Sequence, residues 1–171
     1  LGIENPVNAM GKRVHAHGGY LVVDGAQSVP HMPVDVRSLD ADFFAFSAHK
    51  ALGPFGIGVL RGKLPLLEAT PPFLTGGEMI SSVTQTDAVW APAPEKFEAG
   101  TQDAAGIVAA SAGLSYLEDV GWDALQARER ALVRTAMERM AALGYLDIIG
   151  HPNPDKHHGA ISFNVRGIHP H

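Results

Sequence analysis

The sequence predicts an α/β domain that gives way near residue 120 to a second, smaller α/β unit. Two short continuous apolar runs, YLVVD at 20–24 and FFAF at 43–46, have the length and composition of strands buried on both faces. A strongly amphipathic stretch at 121–143 is followed by two more strand-like runs, after a region rich in Pro, Thr and Gly. With 171 residues, 46% of them apolar, the chain can bury an ordinary core, which argues against disorder.

Taken in order, Pro6 opens a helix in PVNAMGKRVHAHGG, where Val7, Met10 and Val14 recur at helical spacing before Gly18 and Gly19 end it. YLVVD is the first strand and FFAF the second, and the segment between them is too short and too proline-broken for a long helix. IGVLRG at 57–62 is a third strand, antiparallel to a neighbour because only the short loop 51–56 precedes it. Residues 64–102 show little periodicity and read as mostly loop with short strands, a length that in a compact domain usually serves function. From Asp103 to Glu118 an alanine-rich helix places Ile107, Leu114 and Leu117 toward the core. The next helix carries Leu125, Leu132, Met137 and Met140 on one face, charges on the other, and stops at Gly144. LDIIG and GAISFNVRG then form strands around the polar loop 151–158.

Charge and composition narrow the function. The net charge is −5 and no basic block is present, so nucleic acid is not the expected partner. No run approaches the roughly 18 apolar residues of a membrane span. There is no cysteine, which excludes disulfides, thiolate metal sites and a thiol nucleophile within these residues. Histidines 15 and 17, then 151, 157 and 158, then 169 and 171 form groups, none with a metal-ligand spacing such as H-E-x-x-H, so no metal is expected. GPFGIG at 53–58 lacks the lysine-serine ending of a phosphate loop and reads as a turn.

The chemistry concentrates at two strand ends. Asp24 closes the first apolar run and Lys50 comes just after the second, so both project from the carboxyl ends of strands, where α/β sheets bind ligands. A lysine amine condenses with a carbonyl when neutral, and partial burial would favour that form. If the carbonyl is that of pyridoxal phosphate, a carboxylate must keep the ring nitrogen protonated, and Asp24 suits that role. Ser47 and His49 offer a hydroxyl and an imidazole to phosphate oxygens, and Gln27 can bond the ring hydroxyl.

VVDGAQSVPHMPVDV followed by DADFFAFSAHKALGPFGIGVL closely resembles the class V aminotransferase family, and within it the SUF-type cysteine desulfurases, with support from GGEMI at 76–80 and KFEAGTQDAAGI at 96–107. The resemblance covers nearly the whole chain. It implies the type I fold of pyridoxal-phosphate-dependent transferases, with a three-layer α/β/α large domain over 1–120 and the beginning of a small domain over 121–171. It implies that Lys50 links covalently to pyridoxal 5′-phosphate, that Asp24 pairs with the pyridine nitrogen, that Gln27 meets the ring oxygen, and that Ser47 and His49 hold the phosphate. It places Thr101, with Gly77 nearby, on the phosphate of a neighbouring subunit's cofactor, hence a homodimer with shared sites. Thr75 stands where the family's first glycine of this segment would be.

The implied activity converts L-cysteine to L-alanine and passes sulfur to an acceptor protein for iron-sulfur cluster assembly, in the cytoplasm. The chain starts at Leu1 and stops at GIHPH, so a fragment is expected. The family's ring-stacking histidine, first phosphate-binding turn, nucleophilic cysteine and carboxylate-binding arginine would lie outside it, leaving it inactive alone. Two other readings stay open: a different class V enzyme, kynureninase-like or an aminotransferase, and a non-catalytic scaffold that holds no cofactor.

Overall fold

A computed structural model describes residues 1–170. Helix α1 (Val7–His15) leads into a three-stranded sheet of β1 (Val22–Asp24), β2 (Phe43–Ser47) and β3 (Gly58–Gly62), in that spatial order. β1 and β2 run parallel, with Asp24 opposite Ala45, and β3 returns antiparallel to β2. The parallel step requires a crossover, which residues 25–42 supply without a regular helix. The antiparallel step needs only the loop after β2, which opens with a single 3₁₀ turn over Ala48–Lys50.

The remaining α-helices and strands are α2 (Leu64–Ala69), a hairpin of β4 (Ile80–Val83) and β5 (Ala88–Trp90), α3 (Ala104–Val120), α4 (Trp122–Ala141), and a second antiparallel pair, β6 (Leu146–Ile149) with β7 (Ser162–Val165). α3 starts where the Asp103 side chain accepts a hydrogen bond from Gly106 N–H, a standard N-cap, and ends at Gly121, whose φ of 83° suits only a residue without a Cβ. α4 begins immediately after that glycine, so the two helices are joined by a single left-handed residue.

The core runs through Leu21, Ala41, Phe44, Ala48, Ala51, Ala110 and Leu117, with Val133 and Met137 buried on α4. Helix α1 meets it through Gly11, whose α-carbon faces the Leu21 side chain. The far end of α1 is fastened by His15, which bonds the buried Asp42 carboxylate at 2.8 Å.

Several expectations are corrected. β1 is not buried on both faces: it is an edge strand, and Val22 is 66% exposed because no strand or layer lies beyond it among the described residues. The core-facing side of α3 is made of Gly106, Ala110, Gly113 and Leu117, while Ile107 is half exposed; the small residues seat the helix against backbone, which larger ones would hold away. On α4, Leu132 is exposed and Val133 takes the buried place. α2 is a helix inside a region expected to be loop and strand, its proline tolerated in the first turn, where a missing N–H costs nothing.

Candidate active site

β1 and β2 end side by side and point the same way, so the residues after each strand emerge at one edge of the sheet. Asp24 is the last residue of β1. Its Oδ1 accepts the N–H of Ala26 at 2.9 Å, and Gly25 N–H is bonded to Ala45 O of β2 at 2.7 Å. This turn fixes the carboxylate's direction and leaves its second oxygen without a hydrogen-bond partner among the described residues. Gly25 is needed there because a Cβ would run into the Phe44 ring, which is buried beneath it. Gln27 lies in the next turn and is exposed.

Ser47 ends β2 and is half-buried, and His49 and Lys50 complete the 3₁₀ turn, both exposed. The turn is pinned by Ala48 N–H to Ile57 O at 2.9 Å and by Gly53 N–H to Ala48 O at 2.8 Å. Leu52 is held at φ 62°, a conformation that costs a bulky side chain about 1 kcal/mol or more. The loop tolerates this because α3 presses on it from behind: a Cβ on Gly53 would lie 3.2 Å from the Ala110 backbone, and one on Gly113 would lie 2.7 Å from Leu52 O. The lysine therefore stands on a loop clamped between sheet and helix.

Burial of Lys50, which the sequence reasoning invoked to favour a neutral amine, is absent here. The lysine is exposed because no described segment covers the carboxyl edge. Among the described residues, the side chains of Gln27, Ser47 and Lys50 have no hydrogen-bond or ion-pair partner, and His49 has only a ring neighbour, Phe55. One edge thus presents an amine, an amide, a hydroxyl and an imidazole without hydrogen-bond partners among the described residues, beside a carboxylate of which one oxygen is bonded to the Ala26 N–H. That donor set suits a protonated pyridine ring carrying a hydroxyl, an aldehyde and a phosphate.

Gly77 and Thr101 belong to a second cluster. Gly100 N–H donates to Gly77 O at 3.0 Å, which pairs the two loops and sets Thr101 just before the N-cap of α3. No hydrogen bond joins this cluster to Asp24, Gln27, Ser47 or Lys50 among the described residues. The two groups are linked mechanically, since α3 leads from Thr101 straight to the lysine loop.

Of the histidines, His15 pairs with Asp42 and Asp40, His17 with Arg13 O, and His31 with Glu129 at 3.0 Å. His157 is buried, and its Nε2 bonds His151 O. His171 lies outside the described residues. No three His, Asp or Glu side chains gather as metal ligands would among the described residues. Sequence reasoning missed Phe55 and the small face of α3. The G-x-x-x-A-x-x-G spacing from 106 to 113 was the available signal for the second.

The family model for class V aminotransferases matches residues 1–171. A probable cysteine desulfurase of Streptomyces coelicolor is 47% identical over 171 residues, covering 100% of this chain and 41% of the relative. A cysteine desulfurase of Haloferax volcanii is likewise 47% identical over the whole chain, and 40% of its length is covered. Among solved structures, an apo cysteine desulfurase from Thermococcus onnurineus superposes with a TM-score of 0.92 at 39% identity, over 99% of this chain and 42% of that one. The chain thus spans about 40% of the length of the curated relatives it matches. Its architecture is the α/β type I fold of those enzymes, and the chain belongs to the class V aminotransferase family.

Proposed function

We propose that these residues form the central portion of a pyridoxal-phosphate-dependent cysteine desulfurase, which takes sulfur from L-cysteine, releases L-alanine and hands the sulfur to an acceptor protein in the cytoplasm. The observation that carries this reading is the placement of Asp24 and Lys50 at the carboxyl ends of two adjacent parallel strands. When bound, pyridoxal phosphate supplies an electron sink for the pair left behind as the substrate loses its α-proton.

Each residue then has a defined task. Lys50 Nζ would anchor the cofactor and would carry the substrate's α-proton. The free Asp24 oxygen holds a proton on the pyridine nitrogen. Gln27 orients the ring through its hydroxyl, and the Ser47 hydroxyl and His49 imidazole donate to phosphate oxygens. Thr101, beside Gly77, reaches the phosphate of the second subunit in a homodimer. A thiolate that accepts sulfur must come from outside these residues, which hold no cysteine, so the segment by itself does not complete the reaction. We assign residues 1–120 to the cofactor-binding domain and 121–171 to the start of the small domain, a division supported by the separate β6–β7 sheet.

The test is a chimera in which this chain replaces the matching 171 residues of the Streptomyces coelicolor relative. The chimera should release alanine from L-cysteine, and Asp24→Asn should lower that turnover by about a hundredfold or more, the usual scale for losing a charge-stabilising group in a site. A chimera that folds yet makes no alanine, or undiminished turnover in Asp24→Asn, would contradict the reading.

A further inference from the structure

Phe55 is 85% exposed, yet its ring lies against one neighbour: it stacks on the His49 imidazole with centroids 5.1 Å apart and planes 17° from parallel. His49 has no other side-chain partner among the described residues, so no hydrogen bond selects its rotamer. The loop holds Phe55 there by backbone means. Pro54 stiffens the approach, Gly56 turns away at φ 85°, and Ala48 N–H to Ile57 O closes the loop at 2.9 Å, bringing residue 55 back over residue 49. Stacking occupies the face of an imidazole and leaves the ring nitrogens, which lie in its plane, free to donate.

We propose that Phe55 is a positioning residue: it holds the His49 imidazole edge-outward, ready for a phosphate oxygen. This rests on the assignment of His49 to the cofactor phosphate. Without the stack the imidazole would sample several rotamers, and binding a phosphate would have to freeze it at an entropic cost. The aromatic ring meets that cost in advance.

The experiment uses the chimera with the Streptomyces coelicolor relative, in which these residues sit in a whole enzyme, in two ways. First, the ring protons of His49 are followed by NMR without cofactor; second, the dissociation constant for pyridoxal phosphate is measured. Phe55→Leu should move the His49 ring protons downfield, as the shielding of a stacked ring is lost, and should weaken pyridoxal phosphate about fivefold. Phe55→Tyr should restore both. In a His49→Ala background, Phe55→Leu should have no further effect on affinity. If His49→Ala weakens binding but Phe55→Leu does not, or if Phe55→Leu weakens it equally in both backgrounds, the positioning role is overturned while the phosphate assignment stands. If His49→Ala leaves affinity unchanged, or the folded, unsubstituted chimera takes up no pyridoxal phosphate, the underlying assignment fails and the inference falls with it.

Discussion

Asp42 shows how much a single buried charge can organise. Only 5% exposed, it accepts the Leu21 N–H at 2.7 Å, His15 Nε2 at 2.8 Å and Lys63 Nζ at 2.9 Å. Burial pushes its proton affinity up, but the Leu21 N–H, His15 and Lys63 outweigh it and hold the carboxyl far below the ordinary value of 3.8. A group depressed in this way contributes its full stability above pH 3.8 and loses it as the pH falls through that value toward the folded one. Unfolding midpoints in urea should therefore decline on acidification below about pH 4, and Asp42→Asn should cost about 1.5–3 kcal/mol at neutral pH while flattening the acid limb. An unchanged acid limb in Asp42→Asn would remove Asp42 from the explanation. At this scale the sequence was partly readable. Asp24 and Lys50 stood out because each marks the end of an apolar run; Asp42 did not, because its partners lie 21 and 27 residues away. Phe55 stayed hidden because only the closed loop brings it over His49.

Among the elements, α3 and the lysine loop form the pair on which the site depends. A Cβ at Gly113 would sit 2.7 Å from Leu52 O and 3.0 Å from Gly53 N, and backbone atoms cannot swing aside as a side-chain tip can. Two effects oppose each other in Gly113→Ala: alanine favours a helix interior by about 1 kcal/mol, whereas overpacking costs about 1–3 kcal/mol. The close approach to backbone puts the balance on the side of overpacking, so Gly113→Ala should destabilise the chain, as measured by urea denaturation. A stabilised variant would mean that α3 does not clamp this loop. Period and spacing made α1, α3, α4, β6 and β7 legible from sequence. They misjudged the buried side of α3, since a pattern of apolar size points to Ile107 when the tight contact is made by glycine and alanine. They also passed over α2, six residues long with proline in its first turn, too short for a periodic signal.

At the scale of the whole molecule, surface is the informative quantity. The chain exposes 11551 Å², whereas a monomer of its 18.1 kDa mass is expected to expose about 8,000 Å². Much of the excess is apolar: Phe73 is 95% exposed, Val108 70%, Tyr20 67%, Val22 66% and Tyr116 60%. Such a surface fits a segment that packs on further protein, which supports both the larger enzyme and the shared-site homodimer proposed above. It also explains why the sequence could name the strand-end chemistry but misjudged burial at β1 and Lys50. Apolar runs report what a strand is built to bury against, including neighbours that these residues do not contain. The central claim is that one lysine of five, Lys50, is the cofactor's anchor. It is tested most directly by titrating the Streptomyces coelicolor chimera with pyridoxal phosphate, reducing with borohydride and mapping the modified peptides. The expected result is a stoichiometric adduct on Lys50, with Lys12, Lys63, Lys96 and Lys156 left free; an adduct scattered over those four, or none on Lys50, would contradict it.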